Sequence, residues 1–219
     1  MAARRKTAVL ISGRGSNMQA LLNAAEASDF PAEITLVLSN RPDAAGLEIA
    51  QAAGVETLVH DHQGWDDRAA YDMALHELLE NHQIDLVCHA GFMRILSAEM
   101  VDRWNGRMLN IHPSLLPMLK GLHTHERALD LGIRIHGCTV HFVTPQLDDG
   151  PIILQAAVPV APADDAESLG ARVLAAEHLC YPRALEMVAS GQARMLGERV
   201  IYKNAESQLG QLFSPALPG

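Results

Sequence analysis

The sequence predicts an α/β fold with a Rossmann-like, mostly parallel sheet and helices on both faces, followed by an antiparallel strand pair and a long helix. As far as Pro117, short apolar runs alternate with helical patterns. This alternation is typical of parallel strands joined by crossover helices. After Pro117, two apolar runs are joined by a short turn and precede a long helical pattern, which indicates a strand pair and a closing helix.

The first half of the chain contains five predicted strands. They are TAVLIS (7–12), ITLVLSN (34–40), VETLV (55–59), IDLVCHAG (84–91) and RMLNIH (107–112). Helical periodicity lies between them at 18–25, 43–54 and 66–82. Because most positions of these strands are apolar, we expect a parallel sheet that is covered on both faces.

The second half predicts an antiparallel pair from HGCTVHFV (136–143) and PIILQAAVPV (151–160), joined by the turn TPQLDDG. A long helix follows over 165–190, and Pro182 predicts an interruption within it. RVIY (199–202) predicts a last short strand. These elements predict one domain over residues 1–205 and a Pro-rich, flexible tail over 206–219.

Composition narrows the functional classes. The chain has 219 residues and a net charge of −9, and its longest basic run is RRK at 4–6, so we expect no nucleic-acid partner. No apolar run approaches the ~18 residues of a membrane span, so we expect no membrane partner. The 3 cysteines are odd in number and widely spaced, which favours a reducing, cytoplasmic location.

A glycine-rich loop, ISGRGSN (11–17), joins the first strand to the first helix. It leaves the amides of Gly15, Ser16 and Asn17 near a helix N-terminus, where a phosphate is favoured. The loop matches neither the dinucleotide fingerprint nor the P-loop. The alternative is a plain strand-to-helix turn that Ser16 or Asn17 caps.

Two further loops follow strands at the same predicted edge of the sheet, where ligands of open α/β sheets bind. GFMRILS (91–97) places apolar residues beside Arg94, a combination that suits a flat heterocycle bearing carboxylates; the alternative is core packing plus a solvated arginine. In NIHP, strand alternation puts Asn110 and His112 on one side.

The turn LDDGP (147–151) contains Asp148, a candidate partner for His112. A neighbouring carboxylate orients an imidazole ring and favours its charged form, although Asp-Asp-Gly is also good β-turn chemistry. The histidines show no spacing that identifies three convergent metal ligands, so we expect no metal. Because there is no GxSxG and Cys88 lies within a strand, the pattern favours acid/base chemistry by Asn110, His112 and Asp148 over covalent catalysis.

Together these motifs resemble the folate-dependent formyltransferases. The resemblance rests on NIHPSLLP followed by LDDGP, together with ISGRGSN, GFMRILS, KGLHTHERAL and AEHLCYP, in the same order over roughly residues 7–203. It implies direct transfer of the formyl group of 10-formyltetrahydrofolate to the primary amine of glycinamide ribonucleotide (GAR), a step of purine (IMP) biosynthesis. It implies neither an acyl-enzyme nor a metal.

The resemblance also implies roles for individual residues. Asn110, His112 and Asp148 match the catalytic trio, while Asp149 occupies a variable position and receives no role. The residues that match the GAR site are Gly15, Ser16, Asn17, Arg68 and Glu177. The residues that match the folate pocket are Met93, Arg94, Ile95, Leu96, Val143 and Asp148.

Three alternatives remain at this point. A formyltransferase acting on methionyl-tRNA would need a basic tRNA-binding extension, and a formyltetrahydrofolate hydrolase would send the formyl group to water. A noncatalytic phosphosugar-binding module would not need Asn110, His112 and Asp148 together. The pattern leaves a monomer or a homodimer equally open.

Overall fold

The computed structural model describes residues 3–203 and confirms the predicted α/β fold. A seven-stranded sheet has the order β3-β2-β1-β4-β5-β6-β7. Its strands are β1 (Arg5–Ile11), β2 (Ala32–Ser39), β3 (Glu56–Val59), β4 (Leu86–His89), β5 (Met108–His112), β6 (Ile135–Phe142) and β7 (Ile152–Pro159). The helices are α1 (Ser16–Ala25), α2 (Gly46–Ala52), α3 (Arg68–Asn81), α4 (Ala98–Arg103), α5 (Thr124–Asp130) and α6 (Ala166–Ala189).

The strands β1 to β5 are parallel, and their alternating side chains supply two hydrophobic cores on opposite faces of the sheet. On β1, Val9 and Ile11 belong to the core beneath α1 and α6, whereas Ala8 and Leu10 belong to the core beneath α3. All four side chains are fully buried. This two-sided burial explains why the strands read as continuous apolar runs.

The sheet changes direction at β5. This strand is parallel to β4 but antiparallel to β6, and β7 is antiparallel to β6, as the predicted strand pair requires. Phe142, at the end of β6, pairs with Leu109 near the start of β5, so the turn between β6 and β7 leaves beside the start of β5. From there the turn reaches back along β5 and brings Asp148 to within 3.4 Å of His112.

The long helix α6 is continuous over 24 residues, so the interruption predicted near Pro182 does not occur. Asp165 and Ser168 form a capping box at its start. Tyr181 and Leu185, on either side of the proline, are fully buried against the sheet. We attribute the continuity to this packing, which outweighs the one backbone hydrogen bond that proline cannot donate.

The short elements α4, α5 and β8 (Ala193–Leu196) are absent from the sequence prediction because each is too short for a clear period. The predicted strand 199–202 is present as β9 (Arg199–Tyr202), which pairs with β8 in a separate two-stranded sheet. Within 3–203 no helix is long and apolar enough to cross a membrane. The predicted tail 206–219, and the first two and last two residues of the predicted domain 1–205, lie outside the described residues.

Candidate active site

A cavity of about 730 Å³ lies at the carboxyl ends of β4 and β5, where the sequence predicts a ligand site. Its wall includes most of the predicted site residues: Asn17, Met93, Arg94, Ile95, Leu96, Asn110, His112, Val143, Asp148 and Glu177. Gly15, Ser16 and Arg68 are not part of this wall. The predicted folate residues and the Asn–His–Asp trio therefore meet in one place.

Asn110 lies on β5 directly opposite His141 of β6. The Asn110 side-chain nitrogen is 3.2 Å from His141 Nε2, and His141 Nδ1 is 2.9 Å from the Phe142 carbonyl oxygen. A neutral His141 that donates from Nδ1 has Nε2 free to accept, and burial lowers the pKa of His141, which favours this neutral form. The Asn110 amide is thereby oriented and keeps a second N–H for a ligand.

His112 and Asp148 form a buried pair with 3.4 Å between Nδ1 and Oδ2. The other ring nitrogen, Nε2, lies 2.9 Å from the Leu119 carbonyl oxygen. A charged His112 therefore has an acceptor for each of its N–H groups. The same Asp148 oxygen accepts a hydrogen bond of 2.9 Å from the Gly121 amide, so the carboxylate is held from two sides.

The backbone conformation of the turn between β6 and β7 places Asp148 beside His112. Asp148 has a φ of +50°, in the left-handed region that aspartate tolerates better than most residues. Two residues later, a Cβ on Gly150 would lie 1.7 Å from the Phe142 carbonyl oxygen, so only glycine allows the turn to approach β6. The neighbouring Asp149 points instead to the surface, where it pairs with Lys120.

The loop 91–97 forms the apolar side of the cavity. Phe92 and Leu96 are buried, whereas Met93 and Ile95 are 66% and 55% exposed and form open apolar surface. The Arg94 guanidinium stacks 4.2 Å above the Tyr71 ring, a cation–π contact that fixes its direction. An apolar wall with a held cation suits a flat ligand with a negative charge.

Ser12, at the end of β1, connects this loop with the glycine-rich loop. Its hydroxyl accepts a hydrogen bond of 2.8 Å from the Met93 amide and donates one of 2.6 Å to the Asn40 side chain. The loop 91–97 is thus tied to the carboxyl ends of two neighbouring strands.

On the other side of the cavity, the glycine-rich loop begins α1 with Gly15, which has a φ of +75°. A Cβ on Gly15 would lie 2.9 Å from Gly46 Cα, so the residue must be glycine on two grounds. Asn17, in the first turn of α1, donates a hydrogen bond of 2.7 Å to Glu177 of α6. The Asn17 side-chain oxygen is buried without a partner among the described residues.

Glu177 is 6% exposed, and burial raises the pKa of its carboxyl group, partly offset by the hydrogen bond from Asn17. A buried carboxylate beside an unpaired amide oxygen is a pair of acceptors, suited to amine or hydroxyl donors on a ligand. Arg68 lies apart from this pair as the first residue of α3, and it is exposed.

The sequence prediction missed two buried histidines in the cavity wall, His141 and His89. Both had a signal, because His89 ends the otherwise apolar strand β4 and His141 lies between the apolar residues Val140 and Phe142 of β6. Their importance depends on strand register: β4 pairs His89 with Asn110, and β6 pairs His141 with the same residue. Register across non-adjacent segments is a tertiary property that a local pattern does not carry. Among residues 3–203, no cluster of three or more His, Cys, Asp or Glu side chains could hold a metal ion.

The arrangement combines an oriented amide donor, an imidazole–carboxylate pair and a second buried carboxylate around an apolar cavity. Such groups can stabilise a developing oxyanion and transfer protons without a covalent intermediate.

Comparison with known proteins agrees with this chemistry. The formyl transferase family matches residues 5–185. The chain is 45% identical to phosphoribosylglycinamide formyltransferase of Escherichia coli strain K12 over 94% of this chain and 95% of that protein. It is 53% identical, over 88% of its own length, to the trifunctional purine biosynthetic protein adenosine-3 of Bos taurus, and it spans only 19% of that larger relative.

A solved structure agrees as well. The crystal structure of glycinamide ribonucleotide transformylase 1 from Symbiobacterium toebii superposes with a TM-score of 0.89 at 46% identity, covering 92% of this chain and 95% of that one. The family match covers most of the chain, and the Asn–His–Asp cavity lies within the matched residues. The chain therefore belongs to the formyl transferase family.

Proposed function

We propose that the protein transfers the formyl group of 10-formyltetrahydrofolate to the primary amine of GAR, in purine biosynthesis. The observation that carries this proposal is the convergence of Asn110, His112 and Asp148 at one end of a cavity large enough for a folate. The names of the Escherichia coli and Symbiobacterium relatives support the same substrate pair.

The folate is proposed to occupy the apolar side of the cavity. Met93, Arg94, Ile95 and Leu96 line it from one loop, and Val143 and Asp148 line it from the other. The flat heterocycle fits between apolar side chains, and the Arg94 guanidinium offers a partner for a carboxylate. In this role 10-formyltetrahydrofolate is a co-substrate, and no metal enters the proposed reaction.

GAR is proposed to bind beside α1 and α6. The free amides of Gly15, Ser16 and Asn17 at the start of α1 would hold the phosphate, with Arg68 as a further cation. Glu177 and the unpaired Asn17 oxygen would accept hydrogen bonds from the polar groups of GAR. Because Gly15, Ser16 and Arg68 lie outside the cavity wall, the phosphate would sit at the edge of the site rather than in it.

The reaction we propose joins the GAR nitrogen to the formyl carbon and then breaks the bond from that carbon to N10 of the folate. As the nitrogen attacks, the carbonyl oxygen gains negative charge, which the free N–H of Asn110 and the charged His112 stabilise. The attacking nitrogen then loses a proton and N10 gains one. Asp148, through water, carries that proton, so the enzyme ends in its starting state.

We further propose that residues 1–205 form one domain, which acts on these two small molecules as a monomer or a homodimer in the cytoplasm. A related hydrolase or a formyltransferase with another amine acceptor would share the Asn–His–Asp trio. The Asn17–Glu177 pair favours an amine acceptor such as GAR over the hydrolase, because water as an acceptor would need no such site.

The deciding experiment is a product assay on purified protein with 10-formyltetrahydrofolate, in the presence and absence of GAR. Formyl-GAR and tetrahydrofolate formed in equal amounts, only when GAR is present, would support the proposal. Folate turnover without GAR would replace it with the hydrolase. No turnover with GAR by folded protein would refute it, and methionyl-tRNA would then be tested as acceptor.

A further inference from the structure

One buried polar side chain of the cavity wall has no role in the proposed reaction and, within residues 3–203, no hydrogen-bond partner. His89, the last residue of β4, is 5% exposed and lines the cavity. Neither ring nitrogen has a hydrogen-bond partner among the described residues, and Nε2 is wholly buried. A buried polar atom without a partner destabilises the ligand-free protein, so such a group calls for a functional reason.

His89 belongs to a row of three polar residues across neighbouring strands. Parallel pairing sets His89 beside Asn110, and antiparallel pairing sets Asn110 beside His141. Neighbouring strands are about 4.8 Å apart, so His89 lies one strand spacing from the amide proposed to stabilise the oxyanion. The His89 ring also contacts the cavity residue Phe92, with 5.4 Å between ring centroids.

The protonation state of His89 restricts what it can bind. Burial, together with the neighbouring His141, lowers the pKa of His89 to about 3. At neutral pH the ring is therefore uncharged, with one N–H donor and one acceptor nitrogen. A neutral donor–acceptor ring in an apolar wall matches a ligand edge that carries both kinds of group.

We propose that His89 is a binding residue for the heterocycle of 10-formyltetrahydrofolate, a role that rests on the proposed function and makes it more specific. N10 carries the formyl group and is separated from the heterocycle by a single methylene. A formyl carbon held at Asn110 therefore places the heterocycle within reach of the next strand, where His89 lies. The heterocycle edge offers N–H groups and acceptor atoms, whereas the benzoyl ring on the other side of N10 offers only C–H.

The test compares His89→Leu with His89→Gln. Leucine keeps the volume and removes both polar atoms, so we expect the Kd and KM for the folate to rise about 3- to 10-fold, with kcat and the KM for GAR within about twofold of wild type. Glutamine restores a polar group near the Nε2 position and should recover part of the affinity. Inhibition by p-aminobenzoylglutamate, which lacks the heterocycle, should not change.

Thermal unfolding of the ligand-free protein separates binding from packing. Since His89→Leu removes an unpaired buried group, its midpoint should stay level or rise. The matched control is His60→Leu: His60 is 8% exposed, and its Nε2 lies 3.0 Å from the Tyr71 carbonyl oxygen, so this variant should lose stability.

Four results would overturn the inference: an unchanged folate Kd in His89→Leu, a fall in its unfolding midpoint, a fall in kcat with KM unchanged, or equal weakening of p-aminobenzoylglutamate. The folate Kd is measured by calorimetry without GAR. A wild-type protein that binds folate through His89 but fails to form formyl-GAR would refute the proposed function alone.

Discussion

The hydrogen bond between Asn110 and His141 leads to a prediction whose size follows from the structure. His141→Phe keeps a flat ring of similar volume but removes the nitrogen that accepts from the Asn110 amide at 3.2 Å. One neutral hydrogen bond contributes about 0.5–1.5 kcal/mol, so loss of this orientation should lower kcat about 2- to 13-fold. Removing the oxyanion donor itself, with Asn110→Ala, should lower kcat about 10²- to 10³-fold.

The assay is steady-state formation of formyl-GAR by both single variants and the double variant. If His141 acts through Asn110, the His141 substitution should leave kcat almost unchanged in a protein in which Asn110 is already alanine. His141→Gln, which keeps an acceptor near the position of Nε2, should recover most of the rate. The reasoning would be refuted if the decrease in kcat of the double variant equalled the product of the two single decreases. It would also be refuted if His141→Phe changed only KM.

Three further predictions concern other parts of the site. His112→Ala should lower kcat at least about 10²-fold while calorimetry still detects GAR binding; near wild-type turnover would remove His112 from the mechanism. Burial raises the pKa of the Glu177 carboxyl group above its ordinary value of 4.5. The contribution of Glu177 to the stability of the folded protein therefore falls as the pH rises from 4.5 through the raised pKa. Glu177→Gln should therefore unfold at a temperature about 2–4 °C above wild type at about pH 8, with the difference shrinking towards about pH 4; a pH-independent difference would contradict this. Tyr181→Phe removes a buried hydroxyl that lies 3.0 and 3.2 Å from the carbonyl oxygens of His89 and Leu109, and it should lower the free energy of unfolding in urea by about 1–3 kcal/mol. Tyr202→Phe, at a residue 41% exposed, is its control and should cost less; equal losses would show that burial does not set the cost.

The parallel sheet could be predicted from the sequence because fully buried strands leave a strong local signal. The same holds for the placement of Asn110 and His112 on one side, which needs only strand alternation. What local patterns do not carry is pairing between distant segments. The positions of His89 and His141 beside Asn110 depend on the register of three strands, and the continuity of α6 through Pro182 depends on its packing against the sheet. Arg68 shows the opposite case: the family resemblance implied a role for this residue in the site, but in the structure it lies outside the cavity wall.

Met93 combines an exposed side chain with a backbone amide that is hydrogen-bonded to Ser12. The Met93 side chain is 66% exposed, yet its N–H donates to the Ser12 hydroxyl, which is itself hydrogen-bonded to Asn40 at the end of β2. In hydrogen–deuterium exchange this amide should behave like a strand amide within a solvent-facing loop. A single backbone resonance thus reports whether the loop remains attached to the sheet, and Ser12→Ala should abolish that protection without unfolding the loop's neighbours.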